Sequence, residues 1–285
     1  MTDQDQKGEQ GAPEAPIVPT KEKLAAVQQD WDRSDIRPTV LTVELPCGYL
    51  DREGSVHSEL VVGEMTGYEE DLLTAKGPVL QRLNQIILNC THRLGNIDDR
   101  AALNAAVAAL TASDRMVALL AIRRVSLGDQ YEVKVQCPSP ECRDEVRYTL
   151  DLAQVEIRPM QDRTQRVWEH TLSSGRVVRW HVMTAADEEW LSAKGKRKED
   201  TLTLGLLTRV EAIDGVPVER DRKHKEAMAC LKGLPTRDRN EIRALFEQYE
   251  GHVDTVVDFA CPSCQHEWRD DLNLGQPSFF FPSAP

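Results

Sequence analysis

The chain has no apolar run approaching the eighteen or so residues of a membrane span. No basic-then-apolar leader opens it, so the expectation is a protein that stays where it is made. It also lacks any surplus of positive charge. With 35 Lys and Arg against 47 Asp and Glu, its net charge of −12 disfavours nucleic-acid binding, which needs clustered cations to displace counterions. The two basic runs, Lys194–Lys198 and Arg220–Lys225, are short, bordered by acids, and read as solvated helix ends or loop faces. Missing too are a phosphate loop, a dinucleotide fingerprint and a nucleophile elbow. The histidines show no metal-like or triad-like spacing. Paired acids such as Glu69-Glu70 and Asp187-Glu188 fall at helix starts, where capping and the helix dipole account for them. The expectation is a protein that is not an enzyme.

What is present is enough for a sizeable core. The 285 residues, 40% hydrophobic and 29% charged, suit one large or two ordinary soluble domains. A negative surface of this kind suits solubility or a basic protein partner. In a reducing cytosol, as expected here, seven cysteines argue for thiols and metal rather than a disulfide framework.

The chain repeats itself. Met65–Gly77 recurs as Met183–Gly195 with seven of thirteen positions identical, at an offset of 118 residues. Leu110-Thr-Ala-Ser-Asp-Arg115 recurs as Leu234-Pro-Thr-Arg-Asp-Arg239 at an offset of 124, and Cys137 meets Cys261 at that same offset. The extra residues enter around Ile213–Val218, which reads as a small hairpin turn. The pattern predicts an α+β fold built as a tandem duplication of one unit: a hairpin, several helices, then a second hairpin. The expected divisions are a disordered tail over 1–37, copy one over 38–152, a linker over 153–165, copy two over 166–275 and a C-terminal tail over 276–285.

Local signals fill in each copy. Val40–Leu45 and the run ending at Val62 form a hairpin around Asp51–Gly54. Thr66 with Glu69 makes a capping box for a helix to Ala75. Helices are expected over Val79–His92 and Asp98–Leu110, then from a cap at Thr111 or Ser113. In copy two a hairpin at Val167–Met183 precedes a Thr184-capped helix, with further helices over Thr201–Arg209, Lys223–Leu231 and Asp238–Tyr249.

Each copy ends in a cysteine pair, Cys137-Pro-Ser-Pro-Glu-Cys142 and Cys261-Pro-Ser-Cys264, set between two strand-like runs. A short Pro-containing turn aims both sulfurs of such a pair, but one pair supplies only two of the four ligands that structural zinc takes. Two pairs brought together by the duplication complete the set. The expectation is one structural Zn2+ per chain on Cys137, Cys142, Cys261 and Cys264, with the shell closed by thiolates and no open position for catalysis. His266 is a competing donor, but Asp144 stands at its counterpart in copy one. Cys47, Cys90 and Cys230 lack paired spacing; Cys90 and Cys230 read as core thiols on helical apolar faces, and Cys47 as hairpin packing. The Phe279-Phe-Phe281 tail reads equally as a plug for the chain's own core or as a docking peptide.

The run Leu45-Pro-Cys-Gly-Tyr-Leu-Asp51, the segment Glu64–Leu73 and the helical stretch ending in Leu110–Arg115 resemble the baseplate-hub assembly proteins of contractile-tailed, T-even-like phages and of phage-tail-like contractile injection systems. The resemblance spans residues 39 to 152. It implies a tail or baseplate component or assembly factor, with other tail proteins as partners, made in the bacterial host cytoplasm. These motifs mark helix entries and core positions and carry no catalytic signature. The alternative from another class is a zinc-ribbon adaptor contacting nucleic acid or the transcription machinery, which the net acidity opposes.

Overall fold

In the computed structural model, which describes residues 39–194, 201–272 and 277–280, the chain opens with a long antiparallel hairpin. Strand β1 (Val40–Leu50) alternates exposed and half-buried positions before burying Leu45, and β2 (Val56–Gly63) buries Leu60 and Val62. The turn is fixed by Asp51, whose carboxylate accepts from Glu53 N at 2.9 Å and Ser55 N at 2.8 Å. Thr66 caps α1 (Gly67–Thr74) in the capping box expected, with Glu69 closing it from the third position.

The next helix is shorter than the sequence suggested. Helix α2 spans Val79–Cys90 and gives way to strand β3 (Thr91–Leu94), which pairs with β2 to make a three-stranded sheet ordered β1-β2-β3. The extension to His92 is therefore corrected: the backbone of Thr91, Arg93 and Leu94 bonds the free edge of β2 instead of another helical turn. Helix α3 (Arg100–Ala108) is capped by Asp99, and α4 (Ala112–Leu127) by a second box between Thr111 and Asp114. Helix α4 lies across β1 and β2 and is buried from Val117 to Arg123. Gly128, with φ 85°, ends it in a conformation that glycine adopts without strain. A hairpin follows, β4 (Gln130–Gln136) with β5 (Glu145–Asp151).

After β6 (Ile157–Arg158) the same order of elements recurs. Hairpin β7 (Val167–Thr171) and β8 (Val177–His181) leads to α5 (Ala185–Lys194), α6 (Thr201–Leu207) and β9 (Val210–Ile213). The short β10 (Val216–Pro217) turns back on β9 at the expected place, giving a four-stranded sheet ordered β10-β9-β8-β7. Helices α7 (His224–Lys232) and α8 (Thr236–Tyr249) come next. Then β11 (His252–Val253) pairs with β6, and β12 (Val256–Ala260) pairs with β13 (Glu267–Asp271). The short helix α9 covers Pro277–Phe280.

The two sheets agree in register. Leu60, Val61 and Val62 pair with Leu94, Arg93 and Thr91, with an irregularity after Val61. Val178, Arg179 and Trp180 pair with Ile213, Ala212 and Val210, with the irregularity after Arg179. The result is a mixed α+β architecture of several small antiparallel sheets.

Two hydrophobic cores hold it, and each borrows from the other half. The first gathers α2, α3, α4 and the β1–β3 sheet, together with Val253, Phe279 and Phe280 from far along the chain. The second gathers Trp168, Trp180, Leu206, Leu231, Ile242 and Phe246, together with Cys47 and Met160. Trp168 and Trp180 stack at 4.8 Å. Between the halves Thr111 and Thr184 form a backbone bridge, and buried Arg115 is ion-paired with Glu188.

Two expectations about single residues change, and one open alternative is decided. Cys230 is exposed rather than a core thiol, because α7 turns Ala227, Met228 and Leu231 inward instead. Arg220 is not a solvated loop charge: it pairs with Asp187 and lies over the Trp190 ring at 5.2 Å. Phe279 and Phe280 are buried, so for these two the plug reading holds and the free docking-peptide reading does not. The tail over 1–37, residues 195–198 of the first basic run, and Phe281 lie outside the described residues.

Candidate metal centre

Each cysteine pair sits at the tip of a hairpin, and the two tips are built alike. In the first, Cys137 N donates to Asp144 O at 2.9 Å, and Cys142 N and Arg143 N both reach Ser139 O, at 3.2 and 3.1 Å. In the second, Cys261 N donates to His266 O at 2.9 Å and Gln265 N to Cys261 O at 2.7 Å. The residue after each second cysteine, Arg143 and Gln265, has a positive φ of 54° and 59°. That left-handed step costs a non-glycine residue about 1 kcal/mol or more, and it turns the chain back so that the next residue's carbonyl meets the N–H of the first cysteine.

The fold brings the two tips together. Cys137 Sγ lies 3.7 Å from Cys264 Sγ, and Cys142 Sγ lies 3.8 Å from Cys261 Sγ. All four sulfurs fall within 4.8 Å of one another. A disulfide would need about 2.05 Å. Four thiolates at about 2.3 Å from one ion in a tetrahedron stand about 3.8 Å apart, so the donor set fits such an ion. Cys137 and Cys261 are buried, Cys142 is half-buried and Cys264 exposed.

Aromatic packing supports the approach from behind. The Tyr148 hydroxyl of β5 donates to Ala260 O of β12 at 2.6 Å, and the Tyr148 ring meets Phe259 edge-on at 4.9 Å. Trp268 stacks on Phe259 at 5.4 Å. A two-stranded hairpin is marginal by itself, so each hairpin depends on the other and on what joins their tips.

The thiols are electrostatically unequal. Burial pushes the Cys261 thiol up, but the backbone of Cys264 and Ser263 and the neighbouring sulfurs outweigh it and hold it down at about 7. Burial raises Cys137. Backbone contacts from Asp144 and His266 pull Cys142 and Cys264 down, yet burial and the adjacent thiols leave both raised. Four crowded sulfurs cannot all ionise without a counter-charge, and a divalent cation supplies one.

The remaining candidates lie elsewhere. The His266 side chain is exposed beside Trp268 at 6.3 Å, and only its backbone carbonyl serves the knuckle. Burial pushes Cys90 up to about 12. Burial, then the Asp114 charge, raises Cys47, whose sulfur is 3.5 Å from Ser113 Oγ. Among the described residues no second cluster of metal-ligating side chains occurs, and no helix is long and apolar enough to cross a membrane.

Sequence reasoning missed the anchors of the two large hairpins. Asp114, fully buried, accepts from Cys47 N and Gly48 N; Asp238, also fully buried, accepts from Ser174 Oγ at 2.8 Å. The shared patterns Leu45-Pro-Cys-Gly48 and Leu172-Ser-Ser-Gly175, each matched with an Asp-Arg pair further on, were the available signal.

This is an α+β chain of small antiparallel sheets in which one four-cysteine cluster, a candidate metal site, joins two distant hairpins. A family model described as T4 bacteriophage base plate protein matches residues 58–281, and the chain belongs to that family. No curated protein and no solved structure matches it.

Proposed function

We propose that this chain is a non-enzymatic structural or assembly protein of a phage tail baseplate, or of a related contractile injection system, made in the host cytoplasm and taken into the particle. Membership of the baseplate family carries this reading. Its partners are then other tail proteins. In this reading a single structural Zn2+ on Cys137, Cys142, Cys261 and Cys264 staples the halves. The sulfur spacings of 3.7 and 3.8 Å support it, and a closed thiolate shell leaves no position for a substrate.

The halves are also read as two copies of one ancestral unit, dividing near 38–152 and 166–275 with 153–165 between them. The repeated element order and the matched sheet registers support that reading. Two related modules offer two related surfaces, as a bridging subunit needs. Deleting the gene and imaging particles tests the role. Broken or missing baseplates are expected, and normal numbers of intact contractile tails would rule out an essential part in assembly.

A further inference from the structure

The two cysteine hairpins are tied at their base and at their tips. At the base β6 pairs with β11, and Asp254 N donates to Glu156 O at 2.9 Å. At the tips the four sulfurs meet. Between those points β4–β5 and β12–β13 are separate two-stranded sheets, with no strand of one paired to a strand of the other. Two such ribbons are marginal by themselves, and no backbone ladder keeps them together.

One residue crosses between them. Among the described residues, the Tyr148 hydroxyl makes the one hydrogen bond from ribbon to ribbon apart from the sulfurs, to Ala260 O at 2.6 Å. Ala260 directly precedes Cys261. The Tyr148 ring stands edge-on to buried Phe259 at 4.9 Å and to Trp268 at 6.5 Å. These contacts hold the strand that ends in Cys261, whose sulfur lies 3.8 Å from that of Cys142 on the Tyr148 hairpin.

The internal repeat does not account for this contact. Glu145 and Arg147 align with Glu267 and Arg269, so Asp270 stands where Tyr148 stands. Asp270 is exposed, and its carboxylate accepts from Asp271 N at 2.9 Å within its own strand. The same alignment puts Val146 at the place of Trp268, and Val135 at that of Phe259. The aromatic latch therefore works from one side only, and it sits where the ribbons face each other.

We propose that Tyr148 is a positioning residue for the metal: its hydroxyl and ring hold the metal-free hairpins closed, so that the four sulfurs are assembled before an ion binds. The inference rests on reading the cluster as a zinc site. Apparent affinity scales with the fraction of chains whose donor set is already assembled. A chain without the latch has to draw the closing energy from metal binding itself.

The test strips the full chain of metal and titrates it with Zn2+ against a chromophoric chelator, then with Co2+ followed by visible absorption. One ion per chain is expected, with the cobalt spectrum of a tetrahedral thiolate set. Tyr148→Phe keeps the ring and is expected to weaken zinc binding about threefold to tenfold. Tyr148→Ala removes the ring as well and is expected to weaken it about tenfold or more. Both variants should give the parent's cobalt spectrum once saturated, since all four sulfurs remain. A residue that only stabilised the fold would lower the melting temperature of the metal-free chain and leave zinc affinity alone. Unchanged affinity in Tyr148→Phe overturns the proposal and leaves the zinc site standing; that variant decides alone if Tyr148→Ala does not fold. A variant that loses the thiolate spectrum has lost a ligand rather than its positioning, which overturns the proposal too. A parent chain that binds no zinc sinks both the proposal and the reading beneath it.

Discussion

Asp114 receives the backbone N–H of Cys47 at 2.8 Å, joining the first turn of α4 to the bend of β1 across 67 residues. The same oxygen takes Gly48 N at 3.0 Å, while its partner oxygen closes the cap with Thr111. Gly48 has φ 70°, and a Cβ there would stand 2.9 Å from His57 O, so the bend requires glycine. One carboxylate thus fixes both a helix start and a strand bend.

Replacing it should be costly. Asp114→Ala strands two backbone donors and removes a cap, for a loss of about 3 kcal/mol or more. Urea unfolding of the variant measures this, and a loss below about 1 kcal/mol would contradict the anchoring role.

The metal reading predicts one zinc per chain by elemental analysis, and none in Cys137→Ser/Cys261→Ser. Structural zinc contributes about 10–16 kcal/mol in small peptides, and less where each half already has a core. The double variant should still melt clearly lower than the parent. Full zinc content in it would refute the ligand assignment.

Acid should weaken the junction between α5 and its surroundings. Burial works against the Asp187 carboxylate, but His181, Thr184 and Arg220 outweigh it and hold it well below the usual carboxylate range. A depressed folded value means its contribution is whole above the ordinary carboxylate pKa of about 4 and is lost as pH falls toward the folded value. Asp187→Asn should therefore lower the melting temperature at neutral pH and flatten its decline below about pH 4. An unchanged slope there would show the charge to be irrelevant.

Removing the aromatic closure should uncover the first core. Phe279→Ala is expected to cost about 3 kcal/mol, in the range for truncating a buried aromatic. Denaturant titration reads it directly, and a neutral result would mean that the ring is not holding the core.

Much of this was written locally. Capping boxes at Thr66 and Thr184 and the two cysteine turns depend on neighbours within a few residues, and the structure places each where the pattern did. Strand β3 was not legible, since four residues directly after a helix carry too little periodicity and their partner lies far back in the chain. Cys230 misled because a helical apolar stripe tells which residues share a face and not where its edge falls. That the two cysteine pairs meet was an expectation from the repeat, and the sulfur distances show it. Which carboxylates bind which hairpins depends on tertiary approach that no local window contains.

The exchange of residues between the cores bears on how the chain comes off the ribosome. When the first half has emerged, its own plug, Phe279 and Phe280, has not been made, and neither have two of its four sulfurs. It waits with an open apolar cleft through the synthesis of everything after it. Closure of that core then waits for residues made after both halves, so a chain cut short just before Phe279 should be prey to proteases even though the described sheets are complete.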